Sequence, residues 1–175
     1  MKLMSAVWML GGLLFSQLLY ADNASVEYKI KAGYLYNFTK FINWSSDHAE
    51  TFNLCIAGDD PFGQLIDPIE QQLALGRPIK LFRFDSLRTM DTGSHCHILF
   101  ISTSIKDKLS VQYFDNTLVV GESKDFIEQS GMIGFINKAG KIKLQINLTT
   151  ITQNGMKISA KLLEVADLVK GVKND

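Results

Sequence analysis

Apolar side chains recur along residues 24–44 at steps of three and four: Val26, Ile30, Tyr34, Phe38 and Phe41, with Leu35 and Ile42 widening the stripe. That period predicts an amphipathic helix with a broad buried face, closing at the turn-forming run Asn43-Trp44-Ser45-Ser46-Asp47. The pattern then changes. Residues 52–57 form a short apolar run stopped by Gly58-Asp59-Asp60-Pro61-Phe62-Gly63, after which Leu65, Ile66 and Ile69 mark a short helix. Strands are expected again at 78–84, 97–102 and 117–120, the last two separated by the helical spacing of Ile105, Leu109 and Tyr113. Strands alternating with helices predict an α/β fold, a mostly parallel sheet flanked by helices on both faces, Rossmann/flavodoxin-like.

The last third reads differently. Residues 132–137 and 141–148 are two runs separated by Lys138-Ala139-Gly140, and Lys141, Lys143, Gln145 and Asn147 alternate with Ile142, Leu144, Ile146 and Leu148. Such alternation predicts an antiparallel C-terminal hairpin at the sheet's edge, with one wet face and lysines that discourage edge-to-edge aggregation. Ile158, Leu162, Val165, Ala166 and Val169 then suggest an amphipathic helix over 156–169.

Before all of this stands Lys2 followed by a nearly unbroken apolar stretch from Leu3 to Tyr20, with polar residues from Asp22 onward. This reads as a secretory signal peptide, residues 1–21, cleaved after Ala21; the rival reading is an uncleaved anchor. Residues 22–175 then form one domain, of a size that buries a core without metals or many disulfides. The 175-residue chain carries 18 basic and 18 acidic residues. Without residues 1–21 it keeps one net negative charge, so a general nucleic-acid binder, which needs a basic surplus, is excluded.

Export changes the meaning of Cys55 and Cys96, because an oxidising compartment permits a disulfide. They fall in the first and third predicted strands, neighbours in a 2-1-3 order, and a bridge is favoured over two packed thiols if register and side-chain direction agree. His95-Cys96-His97 invites a metal reading. In an extended segment the two histidines share a face that Cys96 does not, and no third ligand has a sequence signature, so no metal and no cofactor is expected. The 58–63 turn has the position of a phosphate-binding loop but lacks the lysine and hydroxyl of one, and Asp59-Asp60 would repel an anion. No catalytic residues are assigned, since no nucleophile motif or paired base stands out, and the protein is not expected to be an enzyme. The Asn-x-Ser/Thr triplets at Asn23, Asn37, Asn43 and Asn147 are read as chance. Tyr34, Tyr36, Phe38, Phe41 and Trp44 are more aromatic surface than one buried helix face needs, which points to a protein partner.

The run Lys31-Ala32-Gly33-Tyr34-Leu35-Tyr36-Asn37-Phe38-Thr39-Lys40-Phe41, ending in Trp44, resembles the opening helix of the YfiR family of periplasmic proteins. The likeness continues in Leu54-Cys55-Ile56-Ala57-Gly58-Asp59-Asp60-Pro61-Phe62-Gly63, Gly76-Arg77-Pro78-Ile79 and Cys96-His97-Ile98-Leu99-Phe100-Ile101-Ser102. It closes with Gly131-Met132-Ile133-Gly134-Phe135, Ile146-Asn147-Leu148 and the run Lys157-Ile158-Ser159-Ala160-Lys161-Leu162-Leu163. The resemblance implies a periplasmic regulator that binds the periplasmic domain of an inner-membrane diguanylate cyclase, or another sensor, and holds it inactive. It further implies a homodimer and an outer-membrane lipoprotein that sequesters the repressor. Cys55 and Cys96 fall where the family carries cysteines; the family's second, C-terminal pair is absent. The partner surface is expected at Tyr34, Lys40, Trp44 and Arg77. An alternative function is a small-ligand receptor feeding a membrane sensor such as a histidine kinase, with a crevice at Asp59, Asp60, Phe62 and Ser102 beyond the strands' carboxyl ends.

Overall fold

The computed structural model describes residues 4–45, 48–90, 95–106 and 114–169, with side chains from residue 23 onward within them. Helix α1 (Met4–Phe41) runs unbroken through the apolar leader and the amphipathic segment. Among the described residues no helix is long and apolar enough to cross a membrane. The buried face of α1 is carried by Lys31, Leu35 and Phe38, whose steps of four and three stack them on one side. Val26 and Ile30, expected in that stripe, point outward and are 49% and 45% exposed. The stripe is displaced because a charged residue, Lys31, occupies the inward position and meets its counter-charge on the sheet.

After α1 the chain forms β1 (Ile42–Asn43), β2 (Phe52–Ala57), two 3₁₀ turns (Gly63–Leu65 and Asp67–Gln71), β3 (Leu73–Ala74), β4 (Arg77–Phe84), β5 (Ile98–Ile101) and β6 (Leu118–Gly121). There follow β7 (Ile133–Lys138), β8 (Lys141–Asn147), α2 (Leu148–Gln153), β9 (Lys157–Ile158), α3 (Ala160–Leu163) and β10 (Asp167–Val169). The architecture is mixed α/β around an eight-stranded sheet in the order β10-β8-β7-β6-β5-β2-β4-β3. Strands β4, β2, β5, β6 and β7 are mutually parallel, which places the second strand beside the first and the first beside the third, as expected. These central strands read as continuous apolar runs because both faces are covered; β5 and β6 are buried at every position.

The 139–140 turn joins β7 and β8 into the expected antiparallel hairpin, with Ala139 and Gly140 both at positive φ. The hairpin is not the edge of the sheet, however. Residues 156–169 do not form the expected helix: β9 pairs with β1, α3 makes one turn, and β10 adds to β8 in parallel. An exposed β8 would leave a row of unpaired backbone groups, and β10 fills part of it. The expected helix through Leu109 and Tyr113 lies outside the described residues. Between β6 and β7 the crossover is a set of turns pinned by Phe126, whose ring sits where Gly121 and Gly131 leave room; a Cβ at either would overlap it.

Aromatic rings tie α1 to the sheet in a continuous path: Tyr28 against Phe62, Phe62 against Phe100, Phe100 against Phe135, and Phe135 against Phe38 and Tyr34. On the sheet itself a disulfide joins Cys55 in β2 to Cys96 just before β5, with Cα atoms 5.9 Å apart, and both cysteines are buried. A bridge, the favoured of the two sequence readings, is what the structure contains.

Candidate functional site

Parallel strands end together, so the loops after β5, β6 and β7 gather at one rim, where open α/β sheets bind ligands. Here α1 runs along one face of the sheet, and its 27–31 turn reaches that rim. Between them is a cleft of about 260 Å³, lined by Glu27, Tyr28 and Lys31 of α1, by Thr103 and Glu122 after β5 and β6, and by residues 135–137 of β7.

A buried charge cluster forms its floor. The Lys31 ammonium lies 2.5 Å from Glu122 Oε2 and 2.5 Å from Glu27 Oε1, and 4.4 Å from the centre of the Tyr28 ring. Glu27 and Lys31 are four residues apart on α1 and so share a face. Glu122 follows β6 and receives a second hydrogen bond, from the Tyr28 hydroxyl at 3.1 Å. Lys31 and Glu122 side chains are only 4% and 8% exposed. Burial of Tyr28, reinforced by the charge and hydrogen bond of Glu122 and by the charge of Glu27, holds its phenol protonated far above the usual tyrosine range. An ammonium held between two carboxylates ties α1 to the loop after β6; a nucleophile needs a free amine.

The sequence-derived crevice residues sit beside this cleft, Asp59, Asp60 and Phe62 after β2 and Ser102 after β5. Phe62 is buried, edge-on to both Tyr28 and Phe100. Asp60 accepts hydrogen bonds from the Phe62 and Gly63 N–H groups and from Arg83 Nε, and its bond is the main cause that raises the Arg83 guanidinium above its ordinary value. The Asp59 N–H donates to Ser104 Oγ, and Ser102 is buried beneath that loop. The side chains of Asp60 and Phe62 are thus engaged in shaping the turn.

Of the expected partner surface, Lys40 is exposed, with its ammonium 4.2 Å from the Tyr36 ring centre. Tyr34 is half-buried against Phe38 and Phe135. Arg77 is also half-buried; its Nη1 donates to Ala49 O, and its guanidinium lies 5.9 Å from the Phe52 ring. Trp44 belongs to the core. It is 7% exposed, packs edge-on against Phe52 and donates Nε1–H to His97 O at 3.0 Å. Its ring offers no surface to a partner, because burying that indole and satisfying its N–H are both done within the chain.

The histidine pair is likewise structural in its contacts. His97 is fully buried, stacks on Phe52 and accepts the Asn53 N–H at Nδ1, while Cys96 is in the disulfide. Sequence reasoning missed Lys31, Tyr28 and Glu122 as a group. Lys31 stood inside the resembling run, but its partner lies 91 residues away and has no local signature.

No curated protein matches the chain. The family model described as YfiR/HmsC-like matches residues 28–167, from Tyr28 at the cleft to the first residue of β10. With strands β1 to β9 and the Cys55–Cys96 bridge inside that match, the chain belongs to the YfiR/HmsC-like family.

Proposed function

We propose that this protein is an exported periplasmic regulator that binds the sensing domain of an inner-membrane diguanylate cyclase and holds it inactive. The family match over residues 28–167 carries the reading. The apolar leader supports export with cleavage after Ala21, and the buried disulfide fits an oxidising compartment. The order β4-β2-β5-β6-β7 is that of flavodoxin-like doubly wound sheets, which supports the finer fold assignment. Repression follows from better binding to the inactive form of a two-state sensor, since only differential affinity shifts such an equilibrium. A homodimer, and an outer-membrane lipoprotein that competes for the repressor, complete the proposal.

Deleting the gene raises intracellular cyclic-di-GMP and restoring it lowers the level; an unchanged level on deletion overturns the cyclase reading. Tyr34, Lys40 and Arg77 remain the proposed contact residues. Lys40→Glu, an exposed position, weakens binding of the purified sensor domain without changing the melting temperature.

A further inference from the structure

Residues 157–169 carry two conflicting instructions. Ala160-Lys161-Leu162-Leu163-Glu164 is an unbroken run of strong helix formers, and Ile158, Leu162, Val165 and Val169 recur at helical steps around it. Yet only Ala160–Leu163 is helical, a single turn, while its two flanks are held as strands, β9 on β1 and β10 on β8. Those strands are two and three residues long. Held this way, the segment leaves apolar surface outside: Val165 is 60% and Leu168 56% exposed. It also leaves a polar group inside. Among the described residues, Ser159 Oγ is the one buried side-chain polar atom with no hydrogen-bond partner, and as the N-cap of α3 it makes no capping bond. An orphaned buried hydroxyl forfeits the free energy that a hydrogen bond would return, and a strong local preference set against the surrounding fold lowers the gap to other conformations.

A continuous helix over the same residues answers both defects. It gathers Val165 with Ile158, Leu162 and Val169 on one stripe, and a serine hydroxyl inside a helix bonds the carbonyl four residues earlier. The turn already present as α3 supplies the nucleus, the costly step of helix formation. What opposes the helix is pairing at its two ends: β9 with Ile42–Asn43, and β10 with Gln145–Asn147, tied by Lys138 to Asp167. We infer that residues 157–169 are a two-state strap, fastened as the strands seen here and released as an amphipathic helix that frees β1 and the edge of β8 together. Because β1 continues directly from α1, and the Ser159 N–H bonds Phe41 O, release of the strap is felt at the foot of the first helix. The strap thereby couples the edge of the sheet to α1, and it does so in the domain alone, independently of the regulator reading.

Relaxation-dispersion NMR on the purified protein tests this. Residues 157–169 exchange with a minor state whose carbon shifts are helical, and Ile42, Asn43 and Gln145–Asn147 exchange at the same rate, because one helix cannot form while either end stays paired. Asp167→Ala replaces a poor helix former by the best one and ends the exposed tie to Lys138, so the minor population rises about threefold, chiefly through the first effect. Gln145→Cys with Asp167→Cys joins register partners of β8 and β10, and once oxidised it traps the strands and abolishes the exchange at both ends. If that crosslink does not form, Asp167→Ala decides alone. No exchange in the strap, a minor state with random-coil shifts, different rates at β1 and β8, or a population unaltered in Asp167→Ala overturns the inference.

Discussion

Lys31 is the residue on which the attachment of α1 turns. A buried ammonium is tolerable only with its charge and hydrogen bonds met, and Glu122 and Glu27 meet them. Lys31→Ala leaves Glu122 buried without its counter-charge and is expected to cost about 3–5 kcal/mol in urea unfolding, whereas Lys31→Met combined with Glu122→Gln costs clearly less. Equal losses in the two proteins would show that packing, not charge, sets the effect. Tyr28 adds a pH dependence with a definite sign. Its pKa is raised on folding above the ordinary 10.0, so the native state holds the proton more tightly. The associated stability is fully present below about pH 10 and declines as pH rises beyond it. Unfolding midpoints at pH 9 and pH 11 should differ less in Tyr28→Phe than in the parent. At the hairpin, Ala139 occupies a left-handed conformation, φ 53°, next to Gly140 at 75°. Asn suits the first position of such a turn better than Ala, so Ala139→Asn should stabilise by about 0.5–1 kcal/mol; a lower melting temperature would contradict this account.

Among the elements, β2 and β5 are the best determined, being hydrogen-bonded in parallel, flanked on both sides and bridged by Cys55–Cys96. The bridge links residues 41 apart in sequence, and closing a loop of that length in the unfolded chain stabilises the fold by about 4 kcal/mol. Reduction, or Cys55→Ser with Cys96→Ser, should lower the unfolding free energy by roughly that amount; an unchanged denaturant midpoint would rule out the contribution. These strands were legible as apolar runs between turn residues, and the sequence bounds of β2 coincide with the observed ones. The C-terminal segment was not. Ile158, Leu162, Val165, Ala166 and Val169 have helical spacing, yet Lys157–Ile158 and Asp167–Val169 are taken up as strands because β1 and β8 offer unpaired backbone. Local periodicity carries no information about an open strand edge elsewhere in the chain. The first helix formed as expected, but its buried stripe was misplaced: Val26 and Ile30 face outward because Lys31 takes the inward position over Glu122.

For the molecule as a whole, what the sequence made legible was the order of the parallel strands and the bridge between two of them, both consequences of local runs and of a general strand-order rule. The cleft was illegible because Tyr28 and Lys31 meet Glu122 across 94 and 91 residues, and only the packing of α1 along the face of the sheet brings them together. That construction predicts an uneven stability. The centre of the sheet, Ile98–Ile101 and Leu118–Gly121, is buried at every position and hydrogen-bonded on both sides, so its amides can exchange only when the sheet itself opens. Strand β10 is three residues long, has two exposed positions and, among the described residues, is paired on one side only, with the solvent-exposed ion pair Lys138–Asp167 as an added tie. Native-state hydrogen exchange should therefore show β5 and β6 opening only with global unfolding and β10 opening at far lower free energy. Lys138→Ala should leave both nearly unchanged, because an exposed pair contributes little. Equal protection of β10 and β5 would mean that the C-terminal strand is an integral part of the cooperative sheet and not a cover laid on its edge.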